Sequence, residues 1–181
     1  DPLRREARDA LKALHECGIK NIVMMTGDNH KTAQSVAAEV GVDEFHAEVL
    51  PEDKAGYIRE AKKNGHTVMM IGDGVNDSPA LSEADVGIAI NSGAAIAKEI
   101  ADVTISSESL YNIVMLRRLS SALMDRIRGN YRFIVGFNLL LIILGVGGVI
   151  MPTTSALLHN MSTLAIGMKS MTNLLPDETE E

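Results

Sequence analysis

Apolar positions early in the chain recur at helical spacing. Leu3, Ala7, Leu11 and Leu14 fall on one face, which predicts a helix over residues 2–16, with Asp1 as N-cap and Pro2 as a first-turn proline. Short apolar runs then alternate with further helical stretches. The pattern predicts a strand at 21–25, then a helix after Asn29 with Ala33, Val36, Ala37 and Val40 inward and Gly41 closing it. A short extended piece at 44–49 leads to Pro51-Glu52-Asp53-Lys54, a helix start with its acidic residues where the helix dipole favours them. That helix ends at Asn64-Gly65. A strand at 67–71, a short helix from Ser78, a strand at 86–90, a helix near 94–100 and a strand at 103–105 follow. Strands alternating with helices predict an α/β fold with a parallel sheet covered on both faces. Met24, Met25, Met69 and Met70 read as core side chains of its buried strands.

The pattern changes after Ser109. A long helical periodicity (Leu110, Ile113, Val114, Leu116, Leu119, Leu123, Ile127) runs into residues 133–151, which contain no charge and are long enough to cross a hydrocarbon core. Met151-Pro152-Thr153-Thr154 forms an uncharged turn, and 156–175 reads as a second, more polar span. The organisation expected is therefore a soluble domain over 1–108, a connecting amphipathic helix over 109–132, two transmembrane helices over 133–175 and an acidic tail over 176–181. Arg117, Arg118, Arg126, Arg128 and Arg132 flank the first span, so the positive-inside bias predicts a multi-pass protein of the cell membrane with its soluble domain cytoplasmic. The competing reading is a buried helical hairpin of a larger soluble protein.

Composition sharpens this only in places. Of the 181 residues 46% are hydrophobic, an ordinary share, yet between Gly129 and Leu175 the only charged residues are Arg132 and Lys169. The net charge of −7 argues against a nucleic-acid partner, which would want a basic patch. The single cysteine, Cys17, excludes an internal disulfide framework and fits a reducing cytoplasm. No initiator methionine or signal peptide is visible, so a fragment of a longer polypeptide is expected.

The densest chemistry lies in Gly72-Asp73-Gly74-Val75-Asn76-Asp77, directly after an apolar strand pattern. Ligands of open α/β sheets bind beyond the carboxyl ends of the strands. Asp73 and Asp77 are hard oxygen donors of the kind Mg²⁺ takes, often together with phosphate; an ordinary solvated Asp/Asn/Gly turn is the alternative. Val23-Met24-Met25-Thr26-Gly27-Asp28 has the same design, so Thr26, Asp28, Asp73 and Asp77 are expected along one rim of the sheet.

Thr26-Gly27-Asp28, Pro51-Glu52-Asp53-Lys54, the run from Gly72-Asp73 through Ser78-Pro79-Ala80-Leu81, and Ala84-Asp85-Val86-Gly87-Ile88-Ala89, in this order and spacing, resemble the phosphorylation domain of a P-type ATPase. With the hairpin, the resemblance is to the C-terminal part of the heavy-metal-transporting branch and covers essentially the whole chain. It implies an incomplete Rossmann-like core of the haloacid-dehalogenase type followed by the last two transmembrane helices. It also implies roles. Thr26, with Gly27 and Asp28, would hold phosphoryl oxygens and Lys54 would neutralise them. Asp73 would ligate Mg²⁺, with Asp77 and Asn76 supporting. ATP is the implied substrate, bound by a nucleotide domain outside this chain. The branch's aspartyl nucleophile, in Asp-Lys-Thr-Gly-Thr, is absent from the sequence, so the missing N-terminal portion of the same polypeptide is an expected partner and the piece should not turn over ATP alone. A membrane-anchored phosphatase of the same superfamily, or a non-catalytic relative, is the alternative.

Polar residues inside membrane spans are functional candidates by default. Asn138 lies in the first span, and His159, Asn160, Ser162, Thr163 and Lys169 lie in the second. Asn138, His159, Ser162 and Thr163 are the candidates for lining a path for a transported ion; interhelical hydrogen bonding is the alternative. Against the branch's copper pumps, imidazole replaces a thioether, and the cobalt-type pattern is nearest. A divalent transition metal such as zinc, cadmium or cobalt is favoured over copper, because imidazole suits borderline ions.

Overall fold

The computed structural model describes residues 2–72, 76–90, 100–105 and 109–175. Its elements are α1 (Pro2–Glu16), β1 (Val23–Met25), α2 (His30–Val40), β2 (Glu44–His46), α3 (Pro51–Lys63), β3 (Met69–Gly72), α4 (Ser78–Glu83), β4 (Val86–Ile90), β5 (Val103–Ile105), α5 (Tyr111–Val146) and α6 (Pro152–Ser170). The chain divides into two compact units, Asp1–Met115 and Leu116–Glu181. The expected N-cap Asp1, residues 94–99 of the helix expected near 94–100 and the acidic tail 176–181 lie outside the described residues.

In the first unit every strand pair is parallel, as the alternation of elements predicts. The strands form two pieces, β1-β2 and β3-β4-β5, with no hydrogen-bonded pairing of β1 to β3 among the described residues. One core joins them. Ile58 of α3, Met70 of β3 and Ala80 and Leu81 of α4 are buried together, and Met25 of β1 packs against this cluster. On α1 the buried positions are Ala10, Leu11 and Leu14, while Cys17 is half-buried just past the helix end.

Local chemistry explains the helix ends. The Asn29 side chain accepts from the Thr32 N–H at 3.0 Å and caps α2, and Gly41 closes it at φ 83°, a conformation that glycine adopts without steric cost. The extended piece expected over 44–49 stops pairing at His46. Glu48 turns to φ 56°, its N–H donates to Asp28 O at 2.9 Å and the Val49 N–H donates to Thr26 O at 3.0 Å, so the chain folds back onto the loop after β1.

A repeated device fastens the amino ends of the strands. Asp43, Asp85 and Asp102 each stand one residue before β2, β4 and β5. Their carboxylates accept backbone N–H groups of the neighbouring strand segment: Ile22 at 2.6 Å, Val68 at 2.8 Å and Gly87 at 2.8 Å. In the first two cases the carbonyl of that same residue also receives the N–H groups of the Asp and its successor, so Ile22 and Val68 are gripped from both sides.

These grips show how the two Gly-Asp turns correspond. Val23 pairs with Glu44 and Met69 with Val86, so β1 and β3 superpose with Thr26 at the place of Gly72. The textual match of Gly27-Asp28 with Gly72-Asp73 is therefore out by one residue.

In the second unit the expected connecting helix and first span form one unbroken helix. α5 has 36 residues and is long and apolar enough to cross a membrane. It ends in a Schellman motif: Gly148 adopts φ 70°, its N–H donates to Gly145 O at 3.1 Å, and the Val149 N–H donates to Leu144 O at 2.9 Å. Pro152 then opens α6, where first-turn N–H groups have no acceptor within the helix and a proline forfeits no bond. α6 stops at Ser170, short of the span expected over 156–175. Among the described residues α5 alone meets the length and apolarity test; Thr153, Thr154, His159, Asn160 and Lys169 dilute α6.

Candidate active site

The carboxyl end of β3 and the first turns of α3 and α4 bring the site together. Lys54, on α3, donates from Nζ to Asp77 Oδ1 at 2.6 Å. Both side chains are largely withdrawn from solvent, at 15% and 12% exposure, and Asp77 is the one buried charged residue among the described residues. Such a pair is held only where geometry is favourable, because removing two charges from water is costly. Asp77 stands at the N-cap position of α4 yet its carboxylate makes no capping bond; it turns to Lys54 instead.

Gly72 explains where that carboxylate rests. A Cβ on Gly72 would lie 2.6 Å from Asp77 Oδ2 and 2.8 Å from Asp77 Cβ. The site therefore needs a residue without a side chain at the last position of β3. Gly87 of β4 plays a similar part behind the site, where a Cβ would meet Leu81 O at 2.7 Å.

After β1, the Thr26 hydroxyl donates to Asp28 Oδ2 at 3.0 Å and accepts the Asp28 N–H at 3.1 Å, a closed turn that presents the Thr26-Gly27-Asp28 backbone at the carboxyl end of its strand. Thr26 itself remains in the ladder through its N–H to His46 O at 3.0 Å. Asn76 is exposed next to Asp77. Asp73, the expected principal Mg²⁺ ligand, lies outside the described residues. Oxygen donors are what the described part of the site offers, in keeping with a hard cation. Among the described residues no group of three or more His, Cys, Asp or Glu side chains is assembled.

A charged lattice ties α3 to α4 beneath the site. Arg59 donates to Glu83 at 3.0 Å, and Lys62 reaches both Glu83 O at 2.7 Å and Asp85 Oδ1 at 3.3 Å. The Arg59 guanidinium holds the Glu83 carboxyl below its ordinary range, and the Val68 N–H, helped by Lys62, does the same for Asp85.

In the second unit the four ion-path candidates divide. His159 Nδ1 and Asn138 Oδ1 are 2.8 Å apart and join α6 to α5. Ser162 Oγ and Thr163 Oγ1 instead donate to the His159 carbonyl at 2.8 and 3.0 Å, so both hydroxyls are turned onto their own helix. Sequence reasoning did not single out Arg126, which bonds three carbonyls at the end of α6.

Comparison with known proteins settles the family. A family model for haloacid dehalogenase-like hydrolases matches residues 1–85. The chain is 41% identical over 92% of its length to a zinc-exporting P-type ATPase of Mycobacterium marinum, and 42% identical over 94% to a copper-transporting ATPase of Rhizobium meliloti. A manganese-exporting P-type ATPase of Mycobacterium tuberculosis is 42% identical over 92%. This chain belongs to the heavy-metal P-type ATPases. It spans 21–23% of the length of those relatives. The solved structure of a zinc-transporting P-type ATPase in its E2·Pi state superposes on 90% of the chain with a TM-score of 0.82 at 31% identity, covering 26% of that structure. A 3-deoxy-D-manno-octulosonate 8-phosphate phosphatase of Moraxella catarrhalis, solved with magnesium and phosphate, shares the fold at 21% identity and a TM-score of 0.52. A heavy-metal P-type ATPase thus accounts for both units, the haloacid-dehalogenase-like α/β unit and the helices that follow.

Proposed function

We propose that this chain is the C-terminal part of an ATP-driven heavy-metal exporter, and that its α/β unit supplies the phosphate- and Mg²⁺-holding half of the phosphorylation site. The observation that carries this reading is the withdrawn Lys54–Asp77 pair at the carboxyl end of β3. Phosphoryl transfer is mostly positioning and charge neutralisation, and a fixed ammonium beside oxygen donors meets both needs. Lys54 neutralises phosphoryl oxygens, the Thr26 turn orients them, and Asp73, with Asp77 and Asn76 beside it, holds Mg²⁺. When bound, the metal neutralises developing charge on the phosphoryl group.

The two unpaired pieces of parallel sheet fit this role. A strand from the rest of the polypeptide, bearing the nucleophilic aspartate, would lie between β1 and β3 and face both Gly-Asp turns. ATP reaches the site from a nucleotide domain outside this chain. Lipid is the natural surrounding of the apolar part of α5, where Ile142 and Ile143 are 61% and 59% exposed. The arginines before the span support a cytoplasmic position for the α/β unit, by the positive-inside bias. The protein then crosses the cell membrane more than once, with α6 and the rest of the polypeptide supplying further spans.

Asn138 and His159 line the ion path. The relatives export zinc and manganese or transport copper; imidazole suits borderline divalent ions, which favours such an ion over Cu(I). The deciding experiment is Asp73→Asn in the full-length protein. Mg²⁺-dependent phosphoenzyme formation is expected to vanish, and wild-type phosphorylation in this variant would remove Asp73 from the metal role.

A further inference from the structure

Arg126 is unlike the other arginines of α5. At 100° per residue, Arg126, Asn130, Asn138 and Leu141 fall within about a third of the helix circumference, while Arg117, Arg118, Arg128 and Arg132 lie on the remainder. Leu141 on this seam is buried, and Asn130 Nδ2 donates to Ser170 Oγ at 3.0 Å. Arg126 Nη1 donates to Thr172 O at 2.6 Å and, more weakly, to Ser170 O at 3.3 Å, and Nη2 donates to Asn173 O at 2.8 Å. Ser170 is the last residue of α6, whose final carbonyls have no partner within the helix, and Thr172 and Asn173 follow just beyond it, at the negative end of the dipole. A planar guanidinium with donors on two nitrogens meets both needs at once.

α5 and α6 are thus fastened at two levels. Arg126 and Asn130 grip the end of α6, and Asn138 meets His159 further along. Twelve residues separate Arg126 from Asn138, and eleven separate His159 from Ser170, or about 18 and 16 Å of helix. The near-equal lengths let both contacts form together. A slip of one residue along the axis, about 1.5 Å, exceeds the few tenths of an ångström by which a hydrogen bond can stretch.

We propose that Arg126 is a positioning residue, which sets the axial register of α6 on α5 and thereby the height at which His159 meets Asn138. The proposal rests on the reading of Asn138 and His159 as lining the ion path. The test uses the full-length ATPase and whichever of Zn²⁺, Mn²⁺ and Cu⁺ stimulates its ATP hydrolysis, with His159→Ala as the site control. Arg126→Gln is expected to raise the half-activating ion concentration about tenfold while the maximal rate changes less than about twofold, a difference of about 1.4 kcal/mol in ion binding. Arg126→Lys keeps the charge but loses the fork, and is expected to recover part of the affinity. If His159→Ala weakens activation and the Arg126 variants do not, the proposal is overturned and the ion-path reading stands. If His159→Ala leaves activation unchanged, the ion-path reading fails and the proposal with it. Should the Gln variant not fold, the Lys variant decides alone: an unchanged half-activating concentration overturns the register role.

Discussion

The chemistry at the carboxyl end of β3 depends on one missing side chain. Gly72 lies under the Asp77 carboxylate, and a methyl group there would overlap Asp77 Cβ as well as Oδ2. Rotating the carboxylate does not relieve a clash with Cβ, so the start of α4 must shift and the Lys54–Asp77 distance with it. Gly72→Ala is therefore expected to cost about 1–3 kcal/mol of stability, the usual scale of overpacking. It should also lower phosphoenzyme formation severalfold. Gly56→Ala on α3, where nothing lies within 4 Å, is the control and should stabilise or leave phosphorylation unchanged. Equal behaviour of the two variants, in thermal unfolding and phosphorylation of the full-length protein, would show that Gly72 is not under steric constraint. Lys54 and Asp77 stood out in the sequence through the motifs that carry them rather than through residue type alone, and the structure brings these two side chains together, while Asp73 lies outside the described residues. Gly72 was legible only as part of a turn. Its actual constraint is a contact with a residue five positions later, which no local pattern reports.

At the scale of elements, helix positions and strand order along the chain were legible, because apolar periodicity and glycine stops report them directly. Strand ends were not. The piece expected to reach residue 49 ends at His46, since Glu48 and Val49 bond back to the loop after β1. The aspartates that start β2, β4 and β5 also escaped notice, because an Asp before a strand looks like any loop residue until its partner is seen. Their grip has a pH signature. The Val68 N–H and Lys62 hold the Asp85 carboxyl below its ordinary range, and Arg59 does so for Glu83. A depressed native value means that the stabilisation is present above the unfolded-state value, near pH 4, and is lost as pH falls through the native one. Slowed hydrogen exchange at the Val68 amide is therefore expected to persist at neutral pH and to fade below about pH 4. Asp85→Asn should abolish that pH dependence, and a Val68 amide that exchanges alike in both proteins would refute the grip. Asp102→Ala should be more damaging than Asp43→Ala or Asp85→Ala, since the Gly87 N–H it frees is partly buried. The expected cost is about 1–3 kcal/mol, against the smaller losses of exposed bonds.

For the whole molecule, α5 is the element that belongs to both units. Its first turn is rooted in the α/β unit by Ile113 and Val114, at 1% and 3% exposure, and its far half carries Asn138. The sequence separated a connecting helix from a membrane span because their compositions differ, but backbone hydrogen bonding does not register a change from charged to apolar side chains. One unbroken helix results. A helix whose first residues belong to the α/β unit and whose later half carries an ion-path candidate is a covalent route between the two units, provided that it stays unbroken. Ser121→Pro tests this. Proline in a helix interior removes one backbone bond, clashes with the preceding turn and costs about 3 kcal/mol locally. Ser121 is none of the candidate site residues and stands 17 positions before Asn138 in the sequence. The expected outcome is that Mg²⁺-dependent phosphorylation by ATP survives in the full-length protein while metal-stimulated turnover falls by an order of magnitude or more. Ser121→Ala, which keeps the helix, should retain both activities. Metal stimulation that survives the proline would show that the two chemistries communicate by another route, through spans and domains that this chain does not contain.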